Sequence, residues 1–172
     1  MKNYIIVTKN SNKFNANLLY NKKRFQCKVG YGGISRKTRE GDNITPTGIF
    51  RLISVFYRKD KIKRIITHLP TCKITRDMGW SDDSDDPFYN KLVSIPRHRT
   101  YETLYRNDDM YDLVIVTDFN INPTIPFKGS AIFIHCHGNT NTPFTRGCIS
   151  LRKTDLISIL PKLNKNSRLM IR

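Results

Sequence analysis

The feature that most constrains this chain is a succession of short β-type segments, each cut off by turn residues. Residues 4–8 (YIIVT), 24–30 (RFQCKVG) and 48–57 (GIFRLISVFY) read as strands, because β-branched and aromatic side chains fill them. Phe25, Cys27 and Val29 alternate with Gln26 and Lys28, which puts the apolar set on one face of a half-buried strand. Gly30-Tyr31-Gly32-Gly33 then stops the pattern. Residues 111–118 (YDLVIVTD) and 130–135 (SAIFIH) are apolar runs of buried-strand length, and residues 168–171 make a last strand. Two short helices are expected. One covers 100–106 (TYETLYR) with Thr100 as N-cap; the other starts at 154–160, with Thr154 as cap and Asp155 favoured by the helix dipole. The expectation is a single, mainly β domain over residues 1–172, with no internal repeat.

Two connections carry their own signals. Residues 41–48 (GDNITPTG) combine glycines that permit positive φ with Pro46, whose φ is fixed, so a defined loop is expected. Residues 79–90 (GWSDDSDDPFYN) hold Asp82, Asp83, Asp85 and Asp86, a local reversal in a chain of net charge +16. The run lacks the central glycine and terminal glutamate of an EF-hand, so a solvated or substrate-facing loop is expected rather than a calcium site.

That charge, from 30 basic and 14 acidic side chains, implies attraction to a polyanion: nucleic acid, anionic lipid or an anionic cell-wall polymer. The basic residues are spread out, and no helix-turn-helix, RRM or zinc-finger spacing accompanies them, so specific nucleic-acid binding is not expected. No apolar run approaches the roughly 20 residues of a membrane span. The apolar part of the first ten residues, Tyr4 to Val7, is too short for a secretory signal, which needs about 7–15 apolar residues. Cys27, Cys72, Cys136 and Cys148 show no paired spacing and are expected to be mostly free thiols.

Two of the four histidines and two of the four cysteines fall inside IHCHGNTNTPFTRGCISL, residues 134–151. A cysteine nucleophile needs a thiolate, a nearby base and donors for an oxyanion. Cys148 follows Gly147, which lets the backbone turn tightly, and the Gly147 and Cys148 amides are candidate oxyanion donors. His135 ends an apolar run, so it should project from the end of a rigid strand. Cys136 should face the other side, where a buried inert thiol is the common fate. His137 shares the face of His135 if the strand continues. Three readings stand on these residues: a catalytic Cys148–His135 pair, an ordinary core histidine and cysteine, and a His-Cys-His zinc site completed by Cys148.

With those residues in view, the chain resembles the YkuD-type L,D-transpeptidase family over most of its length. The motif is Ile134-His135 followed by Thr145-Arg146-Gly147-Cys148, with Gly41-Asp42, Thr45-Pro46, Gly48 and Phe50 upstream. Gly79-Trp80, Asp82-Asp83 and Tyr89-Asn90 resemble a loop in one branch of these proteins. The resemblance implies a mainly β, sandwich-like YkuD domain with a few short helices, and no cofactor or metal. It implies that Cys148 attacks the carbonyl between the third residue of a peptidoglycan tetrapeptide stem and the terminal D-alanine. D-Alanine leaves, and an amine from a neighbouring stem resolves the thioester into a 3→3 cross-link. His135 carries the proton, its second nitrogen held by a carbonyl or small polar side chain in the 135–138 turn. Thr145, Arg146 and Gly147 line the site, and His137 is a second candidate base. Arg146 stands where the family usually has histidine, and Ser150 where asparagine or arginine is usual; the His-to-Cys interval is short. Arg146 would hold the thiolate or contact a stem carboxylate.

Hydrolysis on the same scaffold, by an L,D-carboxypeptidase or amidase, is the nearest alternative; a non-catalytic basic binding module is the remote one. A monomer is favoured. The implied function belongs in the periplasm, whereas the missing signal points to the cytoplasm or to export by another route.

Overall fold

The computed structural model describes residues 3–172. Fourteen strands run along the chain: β1 (Asn3–Lys9), β2 (Asn15–Tyr20), β3 (Lys23–Lys28), β4 (Ile34–Ser35), β5 (Thr45–Pro46), β6 (Gly48–Tyr57) and β7 (Thr71–Lys73). They continue with β8 (Met78–Ser81), β9 (Leu92–Ser94), β10 (Tyr101–Thr103), β11 (Leu113–Thr117), β12 (Phe133–Cys136), β13 (Ile149–Leu151) and β14 (Ser167–Ile171). One helix, α1 (Lys153–Ile159), runs into a 3-10 turn at Leu160–Lys162. The fold is mainly β, as expected.

The main sheet runs β11-β12-β13-β3-β2-β1-β14-β6-β7, and β11 also pairs with β6. That last pairing closes the sheet on itself and leaves β7, which pairs only with β6, as an edge strand. Two adjacent rows of residues show how alternation sorts the side chains. Val55, Ile115, Ile134 and Ile149 are register partners across β6, β11, β12 and β13, and all point inward. The next row, Phe56, Val114, His135 and Ser150, points outward. The inner core gathers Ile5, Val7, Leu18, Leu169 and Ile171 from the other strands and is closed by Leu156 and Ile159 of α1. Each fully buried aliphatic chain there contributes about 1.5–3 kcal/mol. On the outer face sits a small sheet, β10-β8-β9, and Trp80, Phe133, Tyr111 and Val116 form a second core between the layers. This stacking is the sandwich-like element of the fold.

The helix expected at 100–106 is not formed. Tyr101, Glu102 and Thr103 instead pair with Ser81, Trp80 and Gly79 as β10. The tertiary pairing overrides a local pattern of Tyr101, Leu104 and Tyr105 that has helical spacing. The C-terminal helix is present, but Thr154 lies inside its first turn; Arg152 occupies the cap position and makes no side-chain cap bond, while Asp155 sits in the first turn as expected. β2 was not anticipated. Its Ala16, Leu18 and Tyr20 are buried in alternation, and Asn21 and Lys22, both at positive φ, turn it tightly into β3.

Candidate active site

The parallel pairing of β12 with β13 sets Ser150 opposite His135. Side chains two apart share a face of a strand, so Cys148 falls on the outer face with Ser150, diagonal to His135. Cys136 points inward, into the main core. The expected split of His135 from Cys136 is therefore realised, and it separates the atoms a zinc site would need. Among the described residues no three His, Cys, Asp or Glu groups converge to hold a metal.

Cys148 is 9% exposed. Its Sγ donates to the Ala131 carbonyl at 2.9 Å and accepts from the Phe133 amide at 3.3 Å. Burial pushes the thiol up to about 12, and the Glu102 carboxylate adds to this; the Phe133 amide and Lys37 pull the other way. Cys148 at rest is thus a thiol. Lys37 is a cation that favours its thiolate. Arg146 is exposed and makes no ion pair among the described residues, so its guanidinium is free to meet a carboxylate from solution.

His135 is 3% exposed, and its Nδ1 lies 2.7 Å from the Cys136 carbonyl. A carbonyl only accepts, so the neutral ring carries its proton on Nδ1 and leaves the Nε2 lone pair available. Desolvation pushes the imidazole down to about 4; His137 and Arg106 reinforce this, and the Cys136 carbonyl resists it. No hydrogen bond joins His135 to Cys148 among the described residues. Tyr111 packs edge-to-face on the His135 ring, centroids 5.2 Å apart, and donates from its hydroxyl to Glu102 Oε1 at 2.6 Å.

The turn that carries Cys148 is tied down from below. Thr145 Oγ1 donates to the Cys148 carbonyl at 2.6 Å and accepts the Gly147 amide at 3.2 Å. Thr145 is therefore a brace for the turn, and the Gly147 N–H has a partner at rest. Gly147 sits at φ +133°, and a Cβ there would lie 3.0 Å from the Ile44 carbonyl oxygen. Thr45, 0% exposed, accepts the Gly30 amide and donates to the Gly147 carbonyl, both at 2.8 Å. Asp42 collects Lys37 Nζ and the amides of Thr38, Arg39 and Ile44, which fixes the loop that presents Thr45. These are the physical roles of the aspartate and threonine in the upstream motif.

The acidic segment is a loop, as expected, with Asp85 and Phe88 exposed, but it is anchored rather than free. It begins in β8, and Asp86, Tyr89 and Asn90 are buried. Asp86 is held by Ser81 and Arg97, and Asp83 by Arg99. Asn90 accepts from Trp80 Nε1 and the Ala131 amide, each at 2.9 Å, and donates to the carbonyls of Phe119 and Asn120. Ala131 is thereby held at φ +50° with its carbonyl on the Cys148 thiol. Asn90, Thr45, Tyr111 and Glu102 had no assigned part in the sequence reading; for Thr45 and Asn90 the motif positions were the available signal.

His137 bonds Ser150 Oγ through Nδ1 at 2.9 Å, away from the sulfur. It is pushed down by burial and by Lys28 and Arg152. It borders a hollow of about 250 Å³ lined also by Arg24, Phe25, Gln26 and Arg152.

Comparison with known proteins adds family membership. The model of the YkuD family, described as the L,D-transpeptidase catalytic domain, matches residues 2–171. Comparison with curated proteins finds no match. Among solved structures, the chain is similar to L,D-transpeptidase 1 of Mycobacterium tuberculosis, at 9% identity and a TM-score of 0.42, covering 98% of this chain and 62% of that one. It is also similar to the helical cell shape determining protein Pgp2 of Campylobacter jejuni, at 16% identity and a TM-score of 0.49, covering 99% of this chain and 47% of that one. The chain thus spans less than two thirds of either structure.

Proposed function

The chain belongs to the YkuD family of L,D-transpeptidase catalytic domains, and we propose that it is a cysteine acyltransferase that forms 3→3 cross-links between peptidoglycan stems. The observation that carries this reading is the placement of Cys148 and His135 on one face of the paired strands β12 and β13, with His135 Nδ1 committed to a carbonyl.

The neutral resting pair defines the order of events. With the thiol near 12 and the imidazole near 4, a preformed thiolate–imidazolium pair is disfavoured. The proton therefore passes from Cys148 to His135 Nε2 as sulfur bonds to the scissile carbonyl carbon. Collapse of the tetrahedral adduct breaks the C–N bond, and His135 returns the proton to the departing D-alanine amine. An acceptor amine then attacks the thioester, His135 takes its proton, and the new amide forms as the thiol is restored. The net charge of +16 and the Arg24- and Arg152-lined hollow suit a carboxylate-rich polymer. Both catalytic residues come from one chain, so a monomer suffices. On this reading we infer that the work takes place on the cell-wall side of the membrane, where cross-linked stems lie.

Incubation with purified disaccharide-tetrapeptide, beside a Cys148→Ala control, tests the proposal by mass spectrometry. Cysteine-dependent dimers with loss of D-alanine are expected. Tripeptide monomers alone would make the protein a carboxypeptidase, and unchanged substrate in both samples would refute acyl transfer at this bond.

A further inference from the structure

β10 lies in the layer that covers the nucleophile, and its middle residue is an acid. Glu102 is the register partner of Trp80, whose ring packs edge-to-face on Phe133 at 5.0 Å. Its Oε1 is taken by the Tyr111 hydroxyl, and Tyr111 in turn packs on both Phe133 and His135. Glu102 Oε2 receives no protein donor among the described residues and is not sealed from solvent. Ser81 pairs with Tyr101, so Asp82, the next residue, falls diagonally beside Glu102 on the same face. Asp82 Oδ1 is buried and has no hydrogen-bond partner.

Two carboxylates with unmet acceptor capacity thus sit beside a cysteine nucleophile, in a chain with more than twice as many basic as acidic side chains. Arg106 and Arg146 act on Glu102 through space, but neither is hydrogen-bonded to it. Arg106 is committed to Asp108, and Arg146 makes no ion pair. At rest the arrangement works against the enzyme: burial and Asp82 push the Glu102 carboxyl up, and its charge opposes the Cys148 thiolate. It becomes useful when a cation arrives with the substrate: a bound ammonium would satisfy the free oxygens and cancel that opposition as the sulfur begins to react.

We propose that Glu102, backed by Asp82, is a specificity-determining residue that holds the primary ammonium of a stem peptide's diamino acid beside Cys148. This rests on the peptidoglycan reading above. The ammonium has two sources, the third residue of the donor stem or the incoming acceptor. Arg146, exposed at the same opening, suits a carboxylate on the same amino-acid end.

The direct test is equilibrium binding of a disaccharide-tetrapeptide with a single free amine, and of its N-acetylated form, to Cys148→Ala protein by calorimetry. Acetylation should weaken binding about tenfold, the scale of one charge-assisted hydrogen bond, and less than about twofold in Cys148→Ala/Glu102→Gln. Asp82→Asn in the same background should show a reduced penalty and serves if the Glu102 variant does not fold. An equal acetylation penalty with and without Glu102, or no penalty in either, would overturn the proposal. In protein that keeps Cys148, a KM for D-alanine release raised by Glu102→Gln places the donor's amine in the subsite. A KM raised only for an added tripeptide acceptor places the acceptor's there. Failure of wild-type protein to release D-alanine would sink the catalytic reading, while the binding comparison would still judge this one.

Discussion

Replacing Thr45 with valine should unseat the catalytic turn while hardly changing side-chain volume. The Thr45 hydroxyl is fully buried and serves two backbone groups, accepting from the Gly30 amide and donating to the Gly147 carbonyl, each at 2.8 Å. Valine fills the same space but leaves both groups without that partner. A buried polar group stripped of its hydrogen bond costs about 1–3 kcal/mol, so the pair predicts a loss of about 2–5 kcal/mol. There is little room for relaxation: a Cβ at Gly30 would overlap the Asn43 carbonyl oxygen, so the two loops already touch. Urea unfolding is the assay, and the midpoint should fall with an unchanged m-value. Thr45→Ser, which keeps the hydroxyl, should stay within about 1 kcal/mol of wild type, the scale of one buried methylene. Activity should fall more than stability suggests, because displacement of a nucleophile by about 1 Å costs on the order of a hundredfold. A Thr45→Val protein within about 0.5 kcal/mol of wild type, near the usual scatter of a surface change, would refute the claim that this hydroxyl holds the turn.

Three further outcomes follow from the same geometry. His135 is pushed down from 6.5 to about 4 on folding, so the unfolded chain takes up its proton first as pH falls. Its contribution is fully present above about pH 6.5 and is lost toward pH 4, about 3 kcal/mol in all, and His135→Gln should remove that component from a pH series of unfolding curves. Asn90→Ala removes four hydrogen bonds, two of them fully buried, and should cost about 3–5 kcal/mol in urea unfolding; a loss under about 1 kcal/mol would contradict its role as the post for Ala131. Iodoacetamide at pH 8 should alkylate the half-buried Cys72 before Cys148, whose thiol is pushed up to about 12, and peptide mapping reads the order.

The catalytic face was legible because alternation along a strand is strict. Once residues 130–135 read as a buried strand, His135 and Cys136 had to part company, and they do. Thr145-Arg146-Gly147-Cys148 was legible as a turn, though not that Thr145 braces it from within. β10 was misread because Thr100 reads as an N-cap, and the partner that decides the matter, β8, lies some twenty residues away. The acidic run was legible as a loop, though not its anchoring, because the partners Arg97 and Arg99 come from beyond its end. Glu102 comes near Cys148 unannounced: it lies 46 positions before it, and only the stacking of the small sheet on the large one joins them.

The most direct test of the central claim is the intact mass of the protein, quenched in acid within seconds of mixing with a tetrapeptide stem. A mass gain equal to the stem minus D-alanine, mapped to Cys148 and absent from both Cys148→Ala and His135→Ala, is the predicted result. Turnover of the stem with no adduct on Cys148 in wild type, or with full activity retained in Cys148→Ala, would contradict it.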